Sequence, residues 1–326
     1  MRKYLNGANV PLSLAVFLAT DKYDNDDDPN TISATSLIKP VRQLVLSSRL
    51  SPEEALIDIN NLWASRLGTA IHDGIEEAWI NNAPQALSAL GYPKAVIDQI
   101  VVNPDPDNLP ERVIPVYLEK RAYRKVGQYT VSGKFDFVAE GRIEDFKTTS
   151  TYTWIKGTKD EDYILQGSIY RWLNPKIITQ DEMAIQFIFT DWQAIKAKTD
   201  PKYPDNRTKQ KIYHLLSVTE TQRWIEQKLA EAERYWNTPE ADLPLCTDKE
   251  LWRTEPQYKY FKNPNKTQRS TKNFDNMHDA YARLSADGNV GIVTEVPGQV
   301  RACKYCPGFP LCAQKDGLIA DGSLQL

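Results

Sequence analysis

Apolar positions recur along the chain with two different periods, and the change of period divides it. Between Glu53 and Asn81, Leu56, Ile59, Leu62, Leu67 and Ile71 fall near helical spacing, which predicts one or two helices. Ser51-Pro52-Glu53-Glu54 supplies a cap, a first-turn proline and acids to start them. Earlier, Ser33-Ala34-Thr35-Ser36 offers capping chemistry for a helix that Pro40 interrupts, and Arg42 to Arg49 reads as a second short helix. From Val113 to Thr148 the period shortens to that of strands. Val113, Val116 and Leu118 lead into Arg121–Val126, Tyr129–Val138 is rich in β-formers, and Arg142–Thr148 follows a turn at Glu140-Gly141. The last two segments make a hairpin. Beyond it come a helix over Asp160–Leu173, a buried strand over Met183–Phe189, a strand over Ile212–Val218 and a long helix over Thr219–Trp236. Pro239 and Pro244 open a different region, richer in Asn, Lys, Gly and Pro.

Composition narrows the class. A chain of 326 residues suits one large domain or two moderate ones, and 41% hydrophobic residues suffice for a core. The net charge of -3 neither supports nor excludes a nucleic-acid partner, which needs only a local basic surface. The acidic stretch Asn25–Asn30 reads as a solvated turn. The apolar run Pro11–Ala19 ends in Thr20-Asp21-Lys22 without a cleavage site, and no stretch reaches the ~20 apolar residues of a membrane helix. A cytoplasmic protein, from a bacterium or a phage-infected host, is expected, with no membrane partner.

The chemistry concentrates in Gly133–Lys147. Residues two apart on a strand share a face, so Asp145 and Lys147 project together with Phe146 opposite them. The hairpin carries Asp136 toward Asp145. Two close carboxylates repel, and a divalent cation relieves the repulsion; oxygen donors suit Mg2+ or Mn2+. Lys147 then orients the attacking water and steadies a charged phosphate. An Asp-x-Lys alone is a common surface tripeptide, so flanking signals carry weight. His72 and Glu76 share a helix face four residues apart, and imidazole is an additional metal donor. Gln166 and Tyr170 repeat that spacing.

In this order, Gly68-x-x-x-His72-x-x-x-Glu76, Gly133-x-x-Asp136, Asp145-x-Lys147 and Gln166-x-x-x-Tyr170, the chain resembles the RecB-like branch of the PD-(D/E)XK nucleases over roughly residues 31 to 240. That branch includes nuclease domains of recombination helicases, CRISPR adaptation nucleases and phage exonucleases. The resemblance implies an α/β fold, a restriction-endonuclease-like core in which helices flank a central mixed sheet. It implies that His72, Asp136, Asp145 and the Phe146 carbonyl hold the metal, that Lys147 positions the water, and that Gln166 and Tyr170 support the site and contact the DNA backbone. Glu76 is expected to back the metal donors. The implied reaction is metal-dependent DNA hydrolysis, exonucleolytic, in recombination, replication or repair. No phosphate-loop motif is present, so a helicase or recombinase partner would be a separate protein.

Cys303-Lys304-Tyr305-Cys306 and Cys312 crowd near the C-terminus, and Cys246 completes four thiols. Four thiolates suit a [4Fe–4S] cluster or tetrahedral zinc. RecB-like nucleases with an iron–sulfur cluster carry a similar C-terminal pattern, which favours iron. Their first cysteine commonly stands before a proline ahead of the nuclease motifs, where this chain has Lys39-Pro40-Val41-Arg42. Cys246 is the expected substitute, ahead of His278. The division expected is an N-terminal segment over 1–30, a nuclease core over 31–240 and a cysteine-containing, metal-binding region over 241–326.

Two basic segments are candidate DNA surfaces. Lys196–Lys211 has Tyr203 and Tyr213 interleaved, and Tyr258–Lys272 has Tyr258, Tyr260 and Phe261; exposed aromatics there would stack on bases of a single strand. The competing classes are a non-catalytic DNA-binding module and a metal-stabilised assembly subunit that kept the fold.

Overall fold

A computed structural model describes residues 3–20, 28–50 and 57–325. The helix start at Ser51-Pro52-Glu53-Glu54 and the first half of the acidic turn lie outside them. In chain order the elements are β1 (Tyr4–Leu5), α1 (Leu12–Ala19), β2 (Thr31–Ser33), α2 (Ala34–Leu37), α3 (Val41–Ser48), β3 (Ile57–Asp58), α4 (Trp63–Ala89), α5 (Lys94–Ile97), β4 (Ile100–Val102), β5 (Ile114–Val126), β6 (Tyr129–Ala139), β7 (Arg142–Thr149), α6 (Thr151–Lys156), α7 (Asp160–Leu173), β8 (Glu182–Phe189), α8 (Ala194–Thr199), β9 (Thr208–His214), α9 (Val218–Tyr235), β10 (Gln257–Phe261), β11 (Lys272–Phe274), α10 (Met277–Ala286), β12 (Ile292–Val296) and α11 (Ala313–Ala320). They fall into two compact units: residues 3–39 with 57–231, and residues 40–50 with 232–325. The helix at 41–48 therefore groups with the cysteine region and not with its sequence neighbours.

The first unit is a mixed α/β layer structure. A seven-stranded mixed sheet runs β4-β5-β6-β7-β8-β9, with β2 also paired to β6, and helices flank it. Glu140 (φ 50°) and Gly141 (φ 79°) are both left-handed, as a two-residue hairpin loop requires. A Cβ on Gly141 would lie 2.1 Å from Thr179 Oγ1. Strands β7 and β8 are parallel and need a crossover, which α6 and α7 supply. Gly157, at φ 60°, stops α6, and the acids Asp160, Glu161 and Asp162 favour the start of α7. Strand β8 buries Met183, Ala184, Ile185, Phe187 and Phe189 in succession, as a strand covered on both faces does.

One expected strand moves. The segment 212–218 is not a strand throughout; β9 ends at His214. Ser217 and Glu220 cap reciprocally, Ser217 N to Glu220 Oε2 at 2.9 Å and Glu220 N to Ser217 Oγ at 3.2 Å, and this box starts α9 at Val218.

Strand β6 is where the sheet forks. It pairs with β5 along its length. Its other edge pairs with β2 at 130–132 and with β7 only at 137–139. Between those pairings β7 parts from β6, and the acidic residues lie at that parting.

In the second unit, Val41, Val45 and Leu46 of α3 pack with Leu243, Tyr235, Trp236 and Cys312. Leu251, Val300, Leu318 and Leu324 form another cluster, flanked by Cys246, Cys303 and Phe309. Strands β11-β10-β12 form a three-stranded sheet beside α10. No helix among the described residues is long and apolar enough to cross a membrane.

Candidate active site

The register of β6 and β7, Phe137 with Glu144 and Val138 with Ile143, carried one step further sets Asp136 opposite Asp145. The ladder stops just short of them. Phe146 N, released from it, donates to Asp136 Oδ2 at 3.0 Å. On the other side of the same residue, His72 Nε2 lies 3.0 Å from the Phe146 carbonyl oxygen and donates to it. Helix α4 delivers His72 because Trp79, two turns on, packs against Phe137 with ring centroids 5.1 Å apart. With Nε2 committed to Phe146, Nδ1 faces Asp136 Oδ1 at 3.5 Å and Glu119 Oε1 at 3.8 Å.

Glu119 is the residue that sequence reasoning missed. It stands on β5 opposite Asp136, at φ 50°, and the β5–β6 ladder skips that pair. Lys134 ion-pairs with its other oxygen. Among the described residues, His72, Glu119 and Asp136 are the one trio whose donor atoms all lie within 4.8 Å of one another. Asp145 is outside that trio, against expectation. Its carboxylate, 1% exposed, meets the Lys147 ammonium and has no other hydrogen-bonding partner. The Phe146 carbonyl, expected as a metal donor, is held by His72 instead. Glu76 is half-buried, and its carboxyl pKa is raised by burial and by the charge of Glu119.

The electrostatics are those of a site short of positive charge. Burial and the Asp145 charge push the Asp136 carboxyl up to about 7. Burial opposes a charge on His72, but the Glu119 hydrogen bond and the charge of Asp136 outweigh it and lift the imidazole to about 9. Burial likewise opposes the Lys147 charge, and Asp145 and Asp136 more than compensate. A divalent cation fits this set: one imidazole nitrogen and two carboxylate oxygens converge, and the Asp145 carboxylate, paired only with Lys147, stands opposite Asp136 in the strand register.

Gln166 and Tyr170 lie on α7, Gln166 Nε2 donating to Tyr170 Oη at 2.9 Å. Both are buried, Tyr170 at 4% exposure, and they brace the sheet from α7. Gly133 explains the brace: a Cβ there would come 2.7 Å from Leu173 Cδ1 and 2.9 Å from Tyr170 Cδ1. Gly133→Ala is expected to push α7 off the sheet, lowering stability by about 1–3 kcal/mol in denaturant melts. Gly68 meets no such demand, and nothing in the structure explains it.

The basic segments are built differently from expectation. Tyr203, Tyr213, Tyr260 and Phe261 are buried and offer no stacking face. Lys211 and Lys196 instead lie over Tyr213 and Tyr203, 5.1 and 5.8 Å from the ring centres, and Asp160 binds both Lys211 and Tyr213. Two further groups near the acids escaped the sequence reading. Lys147 sits 5.7 Å from the Tyr163 ring centre. Burial, set against the Asp162 charge and helped by that of Lys147, lowers the pKa of Lys159.

In the second unit the four cysteines are half-buried thiols with no disulfide between them. Cys303 and Cys306 lie at a short 3-10 turn, Ala302–Tyr305 and its cap. Gln314 clamps Cys246 through both backbone atoms at 2.9 Å. Arg42, buried, donates from Nε to Cys312 Sγ at 3.2 Å and from Nη1 to Leu243 O at 3.1 Å, and pairs with Glu240. The segment Lys39-Pro40-Val41-Arg42, which has no cysteine, thus brings a guanidinium to Cys312. Burial, then the charges of Glu250, Cys312 and Cys306, push the Cys246 thiol up to about 12. The sulfurs are mutually sensed, yet no three lie within 4.8 Å of one another. Zinc bonds of ~2.3 Å need a tighter tetrahedron; a four-iron cluster, each iron taking one thiolate, needs a wider one. His278 is 92% exposed and pairs with Asp279, away from any sulfur contact.

No protein-family model matches this chain, and no curated protein matches it. Solved structures resemble it distantly. SSO0001 is 18% identical at a TM-score of 0.38, covering 71% of this chain and 91% of its own. A phage-related exonuclease from Haemophilus somnus is 18% identical at 0.25, over 36% of this chain and 60% of its own. A candidate exonuclease from Eubacterium rectale is 11% identical at 0.35, over 67% and 88%. Likenesses this distant decide neither family nor activity.

Proposed function

We propose that this protein is a Mg2+- or Mn2+-dependent deoxyribonuclease, an exonuclease acting in recombination, replication or repair. One observation carries the reading: His72, Glu119 and Asp136 converge at the fork of the sheet, beside a buried Asp145 whose oxygens meet nothing but Lys147. His72, Glu119 and Asp136 would hold the cation, with Asp145 adjoining. When bound, the cation supplies Lewis acidity toward phosphate and lowers the pKa of water. Lys147, kept charged by the two aspartates, holds a phosphate oxygen and the attacking water in line. Asp145 fixes that ammonium in place. Gln166, Tyr170 and Gly133 keep β6 and α7 in register beneath the site.

The test is cleavage of end-labelled single- and double-stranded DNA with Mg2+, with Mn2+ and with chelator. Metal-dependent cleavage supports the reading; DNA binding without cleavage under any of these conditions would leave a non-catalytic module.

For the cysteines we propose a structural [4Fe–4S] cluster on Cys246, Cys303, Cys306 and Cys312, with zinc as the alternative. Arg42 then serves as a hydrogen-bond donor to the Cys312 sulfur, and Arg42→Met is expected to weaken retention of the metal about 10- to 100-fold against a competing chelator. Metal retained as in the unaltered protein would reduce Arg42 to a packing role.

The loop between β10 and β11 exposes Lys262, Lys266 and Arg269 with no acid among residues 262–271. Reversing all three charges is expected to weaken DNA binding and to flatten its salt dependence by about 0.7 in slope per lost phosphate contact on single strands. An unchanged slope in anisotropy titrations at graded salt would remove this loop from the DNA surface.

A further inference from the structure

The turn at 247–253 carries a residue that its backbone does not favour. Thr247 and Glu250 cap each other, Thr247 N to Glu250 Oε2 at 2.8 Å. The turn then closes with Arg253 N on Asp248 O at 2.9 Å and Trp252 N on Lys249 O at 3.1 Å. This is the helix-ending pattern whose left-handed position normally holds glycine. Here it holds Trp252, at φ 49°. A bulky side chain in that region is costly, and such cost is concentrated at functional surfaces.

The strain has a geometric result. Leu251 stays in the core at 4% exposure, while the next side chain turns outward at 43%. Leu251 O accepts from Arg301 N at 3.2 Å and Ala302 N at 3.1 Å, which draws the Cys303–Cys306 segment alongside. Tyr305, between those two cysteines, is 64% exposed, and its ring centre lies 6.2 Å from that of Trp252. Two large aromatic faces thus share one open surface. Charge there favours an anion. Asp248 is held by Arg253 at 2.6 Å, and Glu250 by the Thr247 cap. Arg301 and Lys304, on the same segment as Tyr305, are exposed.

We propose that Trp252 and Tyr305 form a stacking platform for the bases of single-stranded nucleic acid, with Arg301 and Lys304 meeting its phosphates. Stacking on aromatic side chains is tolerant of sequence and needs unpaired bases. The surface goes beyond the proposed hydrolysis and does not depend on it.

The experiment is fluorescence anisotropy of a labelled 20-nucleotide oligo(dT) with the full chain in chelator, beside a blunt 20-base-pair duplex. Trp252→Gly is the informative variant, because glycine suits the left-handed backbone and leaves the turn intact. Tyr305→Ala, at an exposed position, is the second. Each is expected to weaken oligo(dT) binding roughly 5- to 150-fold, to leave duplex binding unchanged, and to leave the melting temperature equal or higher. Trp252→Phe should keep most of the affinity. Oligo(dT) bound as tightly by both variants as by the unaltered protein overturns the proposal. So does equal loss for duplex and single strand, or an unaltered protein that does not bind oligo(dT). Loss of oligo(dT) affinity in a protein without metal-dependent cleavage keeps the platform and drops the nuclease; cleavage with unaltered oligo(dT) affinity does the reverse.

Discussion

Asp145→Asn is expected to reduce metal-dependent DNA cleavage by about a thousand-fold or more while the protein stays folded. A bound cation contributes several kcal/mol to the transition state, and each 1.36 kcal/mol is about tenfold in rate. Asparagine keeps the shape but removes the charge that balances the cation and the Lys147 ammonium. At neutral pH the Lys147 ammonium loses its nearest counter-charge, a cost that is offset in part at Asp136. Asp145 adds to the cost of ionising Asp136, so its neutralisation relieves a repulsion between buried carboxylates. Lys147→Ala is expected to match the catalytic loss by removing the cation that faces the phosphate. Cleavage rates by gel and melting temperatures by differential scanning fluorimetry separate the two effects. Activity within tenfold of the unaltered protein in either variant would contradict the assignment.

The second large effect couples protons to metal. In the metal-free protein Asp136 is raised from 3.8 to about 7 and His72 from 6.5 to about 9. Both folded values exceed the unfolded ones, so the folded chain binds extra protons between them. The Asp136 share of stability is complete below about pH 4 and is lost as pH rises through about 7. The His72 share is complete below about 6.5 and is lost through about 9. At 1.36 kcal/mol per pH unit, the Asp136 span bounds its share at about 4 kcal/mol. Melting temperature in chelator should therefore fall from pH 5 to pH 9, and Mg2+ or Mn2+ should reverse much of the fall above pH 7. Metal affinity should rise with pH through about 7 and on through about 9, as Asp136 and then His72 give up the protons that compete with the cation. Asp136→Asn should flatten the profile. A chelated protein equally stable across this window would contradict the picture.

Local pattern carried much of this into view. The hairpin was legible because Glu140-Gly141 allows only a tight left-handed turn between two β-rich segments. Helix α7 was legible over Asp160–Leu173, because Asn174-Pro175 cannot continue it. The shared face of Asp145 and Lys147 followed from strand alternation, and the approach of Asp136 from the hairpin. Glu119 did not, since finding it requires the register of β5 against β6, and nothing in Leu118-Glu119-Lys120 fixes that register. The buried Tyr203, Tyr213, Tyr260 and Phe261 misled for another reason. A lysine lying over a tyrosine ring and a lysine beside a base-stacking tyrosine look alike in sequence; only burial distinguishes them. Arg42 was illegible because its partners lie about two hundred residues away or more.

That separation has a consequence for synthesis. Arg42 meets Glu240 across 198 positions and Cys312 across 270. A ribosome adding ~5–20 residues per second leaves α3 waiting roughly 10 to 40 s for Glu240, and longer for Cys312. Until then Val41, Val45 and Leu46 have no apolar cover from Leu243, Tyr235 or Trp236. A nascent chain of this kind is open to chaperones over that interval, and any fragment ending near residue 231 keeps those side chains exposed for good.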